Sequence, residues 1–306
     1  MGNTTTVFGG TGFLGSAIVQ QIVASGRPVR IAARHPARPA WAGDDAAIEL
    51  ATADVRDEAS VARALEGTVA AVNAVSLYTE SGGNDTFHAV HVEGAGRVAR
   101  LAQDAGVRRL VLISGIGADT ASPSSYVRAR AHGEQSVRAG FPDAIIVRPS
   151  VLFGPQDAFL SNLARLSQLP VIPLFGRGDT RLQPVLVDDV AKAVAHLTGS
   201  ADPASPLFEL GGAQVYTYRE IVKQVLAHLG RRRPLIPVPF FLWRALAALA
   251  RPLPNPPLTR DQVLLMQPDN VVGDEVGTFA DLDITPRSLE ESLPHCLEPA
   301  SREAKP

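Results

Sequence analysis

A glycine-punctuated junction near the N-terminus constrains this chain more than any other stretch: Val7-Phe8-Gly9-Gly10-Thr11-Gly12-Phe13-Leu14-Gly15. The run from Thr4 to Phe8 reads as a strand, and the residues from Gly12 to about Ala24 read as a helix. Gly9 lets the chain turn sharply between them. Gly12 lets the backbone approach a bound group, and Gly15 lets the helix lie tight on the strand. The free N–H groups of the first helical turn then converge on one point, where the helix dipole favours negative charge. A dinucleotide pyrophosphate suits that point. The spacing is G-x-x-G-x-x-G, so its weight comes from context: a strand before, a helix after, and a second strand next.

The remaining totals narrow the class. At 306 residues the chain is long enough for one large domain or two modest ones. A formal net charge of −2 supplies no field to attract nucleic acid, and no nucleic-acid partner is expected. The single cysteine, Cys296, excludes an internal disulfide framework and suits a reducing compartment. No basic region followed by an apolar run opens the chain, which argues against a secretory signal. No stretch approaches the ~18 uncharged apolar residues of a membrane span. The expectation is a cytoplasmic protein, with peripheral attachment at the inner face of a membrane as a further option. The seven histidines show no metal-ligand spacing, so no metal is expected.

Along the first half, strands alternate with helices. Val29 to Ala33 and Ile48 to Thr52 read as strands two and three, and Asp57 can cap a short helix through Leu65. Val69 to Ala74 is apolar on both faces, as a buried parallel strand should be. A long helix is expected from about Asp85 to Ala105, a fifth strand over Arg109 to Ser114, a helix over Ser124 to Ala139, and a sixth strand over Ala144 to Val147. This alternation predicts an α/β fold with a doubly wound parallel (Rossmann) sheet over residues 1–155. Most of the 24 prolines lie from Pro149 onward, and residues 156–306 read as a smaller mixed lobe for substrate or partner. Within it, 183–212 should return to the main sheet, while Phe240 to Ala250 forms an apolar helix fenced by Pro237, Pro239, Pro252 and Pro254. Six of that helix's residues, Phe240, Phe241, Leu242, Trp243, Leu246 and Leu249, are too many for one stripe. An exposed apolar patch suited to a lipid or quinone tail, or to a membrane partner, is expected there. The tail Pro299 to Pro306 is polar.

The chemistry-bearing residues fall at strand ends. After the second strand stands Arg34, with Arg38 nearby, and no carboxylate to take a ribose 2′-OH. A guanidinium there can grip a 2′-phosphate bidentately, so NADP(H) is favoured over NAD(H). Asp54 and Val55 would flank the adenine, and Asn73 and Ala74 would lie under the adenosine ribose. Asp and Asn at strand ends equally often serve a turn. Ser114 closes the fifth strand, and Tyr126 and Arg130 share one helical face four residues apart. A tyrosine acting as general acid needs its pKa brought from about 10 toward ~7, which is ~4 kcal/mol. One cation ~4 Å away at an effective dielectric of about 20 supplies roughly that much.

These motifs resemble an extended or atypical short-chain dehydrogenase/reductase. The residues that carry the likeness are Gly9 to Gly15, Ser114, Tyr126 with a basic residue four later, and Arg148-Pro149-Ser150 followed by Phe153-Gly154-Pro155. In the second half, Leu174-Phe175-Gly176, Gln183-Pro184-Val185-Leu186-Val187-Asp188-Asp189-Val190-Ala191 and Phe208-Glu209-Leu210-Gly211-Gly212 are similar to one branch. That branch contains the NAD(P)H-binding accessory subunit of respiratory complex I (alpha subcomplex subunit nine) and its bacterial relatives. The resemblance implies that Thr11, Phe13, Leu14, Pro149 and Val151 join Gly9, Gly12, Gly15, Arg34, Asp54, Val55, Asn73 and Ala74 around a tightly held NADP(H). It also implies a respiratory-chain protein or membrane surface as partner, or a small carbonyl or quinone-like ligand. Active members carry Tyr-x-x-x-Lys, and here the position is Arg130. The charge is kept, but arginine is longer and planar. Two readings follow: a nucleotide-binding protein of weak or vestigial activity, or a working reductase, epimerase or dehydratase with Tyr126 as acid/base.

Overall fold

The computed structural model describes residues 4–44, 46–80, 82–199, 204–250 and 258–297. The chain runs β1 (Thr4–Phe8), α1 (Phe13–Ala24), β2 (Val29–Ala33), β3 (Ile48–Thr52), α2 (Glu58–Leu65) and β4 (Thr68–Asn73). A π-helical turn (His88–Gly94) leads into α3 (Ala95–Asp104), followed by β5 (Arg109–Ile113), α4 (Ser125–Gly140) and β6 (Ile145–Pro149). Next come β7 (Leu152–Phe153), α5 (Ala158–Leu166), β8 (Ile172–Phe175), β9 (Arg181–Leu182) and β10 (Val185–Leu186). Then follow α6 (Val187–Gly199), β11 (Leu207–Leu210), β12 (Tyr216–Thr217), α7 (Tyr218–His228) and β13 (Leu235–Val238). The last helices are α8 (Phe240–Ala250), α9 (Arg260–Leu265) and α10 (Leu289–Leu297).

Two compact units share this chain. The first comprises 1–149, 187–210 and 273–284, and the second 150–186, 211–272 and 285–306. The first unit is built on a seven-stranded sheet in the order β11-β6-β5-β4-β1-β2-β3, with every pair parallel. The order reverses at β1/β4, where a doubly wound sheet opens a crevice at its carboxyl edge. The registers Phe8↔Ala32, Phe8↔Asn73 and Asn73↔Leu112 align four strand ends along that edge. One face of the sheet is covered by α2, α3 and α4, whose Val61, Leu65, Val98, Ala102 and Val137 pack on Phe8, Ala71, Leu110 and Ile146. On the other, α1 packs against α6.

The division differs from a split at residue 155. The chain leaves the first sheet at Pro149, and β7 pairs with β10 in the second unit. Of the expected 183–212 return, only α6 and β11 belong to the first unit, and 273–284 joins it as well. There Gly277 accepts from Glu209 N and donates to Leu207 O, at 2.9 and 3.0 Å. The expected helix from Asp85 starts at His88 instead, because Asp85 N–H closes a turn onto Gly82 O at 3.1 Å. Asp188 and Asp189 fall inside the first turn of α6, where carboxylates complement the helix dipole. The second unit centres on Phe153, Leu160, Ile172, Leu174, Leu186, Ile221 and Leu293. In it, Arg231 and Arg233 fasten onto Ser167. Pro252, Pro254 and the tail Pro299–Pro306 lie outside the described residues.

A buried ion triad ties α4 to the sheet. Arg148 on β6 donates to both oxygens of Glu134 on α4, at 2.9 and 2.7 Å, and to Glu209 on β11 at 3.2 Å. The two carboxylates hold the arginine charge above its ordinary range. Removing the arginine would leave two buried carboxylates unpaired, so Arg148→Ala should lose ~3–5 kcal/mol of stability. Urea denaturation of the variant checks this.

Candidate functional site

The site is assembled along the carboxyl edge of the first unit's sheet. Gly9 adopts φ +77°, and a Cβ there would lie 3.0 Å from the Ala74 backbone. At Gly15 a Cβ would stand 2.1 Å from Gly9 O, so α1 is seated directly on the turn. Helix α1 has no side-chain cap and no acidic residue in its first turn, which leaves its N-terminus available for an anion. Thr11 and Gly12 are exposed, and a Cβ on Gly12 would meet only Gly9 O, at 3.2 Å. This open, uncapped glycine turn fits a dinucleotide pyrophosphate. Phe13 is part-exposed beside it, while Leu14 is buried beneath.

Arg34 follows β2 with its side chain 63% exposed, and its guanidinium lies 4.0 Å from the Asp85 carboxylate. The sequence places no acid after β2, yet the fold brings one from a distant turn. Arg56 is the hub of this corner. Its Nε donates to Asp54 at 2.9 and 3.1 Å and its Nη2 to the same carboxylate, while Nη1 reaches Asp85 and the Asn84 carbonyl. Arg56 thereby holds the Asp54 carboxyl below the usual carboxylate range. Arg38 is committed to its own loop, donating to the carbonyls of Gly43 and Ala46 at 2.6 and 3.0 Å. Asp54 also caps its own turn through Arg56 N–H at 2.9 Å, and Asn73 does the same through Val75 N–H at 3.2 Å. Val55 points into the core rather than toward the edge, packing against Gly94. Pro149 ends β6, and Val151 belongs to the second unit.

Ser114, Tyr126 and Arg130 meet at the next strand end. Ser124 caps α4 through Val127 N–H, which sets the first turn that carries Tyr126. Arg130, one turn on, donates to the Tyr126 hydroxyl, to Ser76 Oγ at 3.5 Å and to Ile113 O at 3.2 Å. Tyr126 is buried, stacked by Tyr78 at 5.7 Å and met edge-on by Phe87 at 5.5 Å and His91 at 5.6 Å. Beside it, Asn73, His91, Ser114 and Arg130 line a water-sized cavity of about 10 Å³. Ser114 Oγ and Arg130 Nε are both buried there without a protein partner among the described residues. Such groups call for a polar ligand or water.

Helix α4 approaches the π-helical turn closely. A Cβ on Gly133 would lie 2.0 Å from His91 O. The His91 ring faces Leu77, with Nε2 3.2 Å from its N and 3.0 Å from its O. Sequence reading missed His91, Arg56, Asp85 and Ser76. The Asp54-x-Arg56 spacing and the Gly82-Gly83 turn were the available signals for two of them.

A family model for NAD(P)H-binding proteins matches residues 9–161. The mitochondrial NADH dehydrogenase [ubiquinone] 1 alpha subcomplex subunit 9 of Arabidopsis thaliana is 32% identical, over 94% of this chain and 76% of the relative. The chain belongs to the NAD(P)H-binding family. A ceramide reductase of Caulobacter vibrioides is 30% identical over 76% of this chain and 73% of its own. A solved NADPH-dependent quinone oxidoreductase of Escherichia coli, complexed with NADPH, superposes with a TM-score of 0.74 at 19% identity, over 95% and 99% of the two chains. Other structures of this fold carry NAD. The likeness to this family, in its alpha subcomplex subunit 9 branch, thus extends over nearly the whole chain, and the fold is that of short-chain dehydrogenase/reductases.

His91 gives the family member's site a pH signature. Burial, with Arg130 nearby, lowers its pKa from 6.5 to about 4. The folded value lies below the unfolded one, so the unfolded chain takes up the proton first as pH falls. Stability should therefore be full above about 6.5 and decline toward pH 4, by up to ~3 kcal/mol. Urea midpoints between pH 7 and 4 should show this slope, and His91→Gln should flatten it.

Proposed function

We propose that this NAD(P)-binding, oxidoreductase-like protein holds NADP(H) as a lasting partner and has weak or vestigial hydride-transfer activity toward a lipid-like or quinone-related carbonyl. The observation that carries the reading is Arg130. It stands where active relatives of the short-chain type carry lysine, and its Nη1 and Nη2 donate to Tyr126, Ser76 and Ile113. The terminal nitrogens thus serve first as a clamp on protein groups, and the buried Nε is the donor left for a bound ligand. Arg34, largely exposed at the end of β2, is the group for a 2′-phosphate. When bound, the nucleotide supplies the hydride. Ser114 Oγ would orient a carbonyl, and Tyr126, held by Arg130, would give it a proton. A relative that is a ceramide reductase supports a lipid carbonyl as the substrate class.

Fluorescence titration and turnover assays test this together. Wild type should bind NADPH about tenfold more tightly than NADH, one charge-assisted contact's worth, and Arg34→Ala should lose that preference. NADPH oxidation with carbonyl or quinone acceptors should stay slow in wild type and in Arg130→Lys. Robust oxidation by wild type, lost in Tyr126→Phe with binding intact, would instead establish a working reductase.

The partner reading rests on α8. Its packed side is Ala247, with Trp243 Nε1 donating to Leu174 O at 3.1 Å. Its outer arc shows Phe241, Leu242, Leu246 and Leu249, 43–78% exposed, beside Arg244 and with no acidic residue on the helix. Apolar groups with a cationic border suit an anionic bilayer surface. Flotation with vesicles containing anionic lipid should recover the protein, and Leu246→Glu with Leu249→Glu should abolish it. No flotation in wild type would leave this face to a protein partner, such as the respiratory-chain subunits to which the chain is related.

A further inference from the structure

We infer that Asp85 is a specificity-determining residue for the nucleotide: its carboxylate competes with a 2′-phosphate for Arg34 and so sets how strongly NADPH is preferred over NADH. This rests on the NADP(H) reading above and goes beyond it, because Asp85 lies in no glycine motif and far along the chain from β2. The turn that presents it is tightly built. Gly82 and Gly83 have φ of +89° and +59°, and Asp85 N–H bonds Gly82 O at 3.1 Å. Arg56 fixes the tip through the Asp85 carboxylate and through Asn84 O at 3.2 Å. Arg56 in turn is held by Asp54.

The corner therefore contains two arginines and two carboxylates, Arg34 and Arg56 with Asp54 and Asp85, and its formal charges cancel. A 2′-phosphate entering it meets Arg34 already partly neutralised by Asp85 at 4.0 Å. It must also approach the Asp85 carboxylate, a like charge. A ribose 2′-OH meets no such opposition, since a carboxylate can accept its hydrogen bond. Both effects act on the ratio of the two nucleotides and leave the pyrophosphate site at α1 untouched.

The test compares wild type, Asp85→Asn and Asp85→Ser by titrating NADPH and NADH at constant ionic strength, with adenosine 2′,5′-bisphosphate and AMP as competitors. Two substitutions in an exposed turn guard against misfolding of either, and circular dichroism checks both. Removing the carboxylate should tighten NADPH and the bisphosphate about tenfold, a charge-assisted contact's worth, while NADH tightens not at all. In an Arg34→Ala background the gain should shrink to the part that comes from repulsion by the carboxylate alone. An unchanged nucleotide ratio, an equal gain for both, or a gain undiminished without Arg34 overturns the inference while leaving the NADP(H) reading standing. Failure of wild type to bind either nucleotide defeats the reading and the inference together.

Discussion

The approach of Gly15 to the Gly9 carbonyl is the contact on which the rest of the site depends. A methyl group at Gly15 would sit 2.1 Å from that oxygen, well inside any allowed contact. Only a bare Cα lets α1 begin directly on the turn after β1. This brings an uncapped helix N-terminus to the edge where β1 and β4 part. The same turn is fixed from the other side, since Gly9 packs on Ala74 and Ala74 N–H bonds Phe8 O at 2.9 Å. The partial positive charge of the helix end and the row of strand ends are therefore one rigid feature. Polar side chains placed after any of these strands inherit its geometry.

Helix α4 is held with equal rigidity by different means. On one side Gly133 allows the backbone of the π-helical turn to come almost into contact. On the other, Glu134 is locked by the Arg148 fork. Arg130 lies one turn before these two anchors and Tyr126 two turns before. A buried ion triad adds little net stability over an apolar core. Its directional bonds do fix where the helix sits along the sheet, and the Tyr126–Arg130 pair needs that register to stand beside Ser114.

The main sheet was legible because its strands are short apolar runs bounded by turn residues, and the glycine junction has one common structural solution. The cap at Asp57 was equally local, and it forms its bond to the third helical N–H. What could not be read was set by tertiary contact. The two-residue strands β7, β9, β10 and β12 have too few residues to show a period. The return of 273–284 depends on Gly277 fitting against Phe208. At the site, Ser114, Tyr126 and Arg130 could be placed together from strand and helix spacing. The corner around Arg34 could not, because its decisive carboxylate arrives from a turn some fifty residues later in the chain.

That turn also explains why the two ends of the site are not independent. The segment that carries Asp85 begins at Leu77, whose N and O both lie within hydrogen-bond reach of His91 Nε2, and the tautomer of the ring sets which of the two it bonds. Tyr78 stacks on Tyr126, and the segment ends at Phe87, whose ring meets the same tyrosine edge-on and whose N–H is bonded by Glu80 at 2.8 Å. Its tip sits on Arg56 and its two feet sit on Tyr126. A charge placed near Arg34 acts on the tip directly, and the tip is joined to the phenol's surroundings by only a few residues on either side. Electrostatics at the ribose corner and packing around the reactive hydroxyl are thus carried by one short segment, fastened at its base by a histidine that burial keeps neutral.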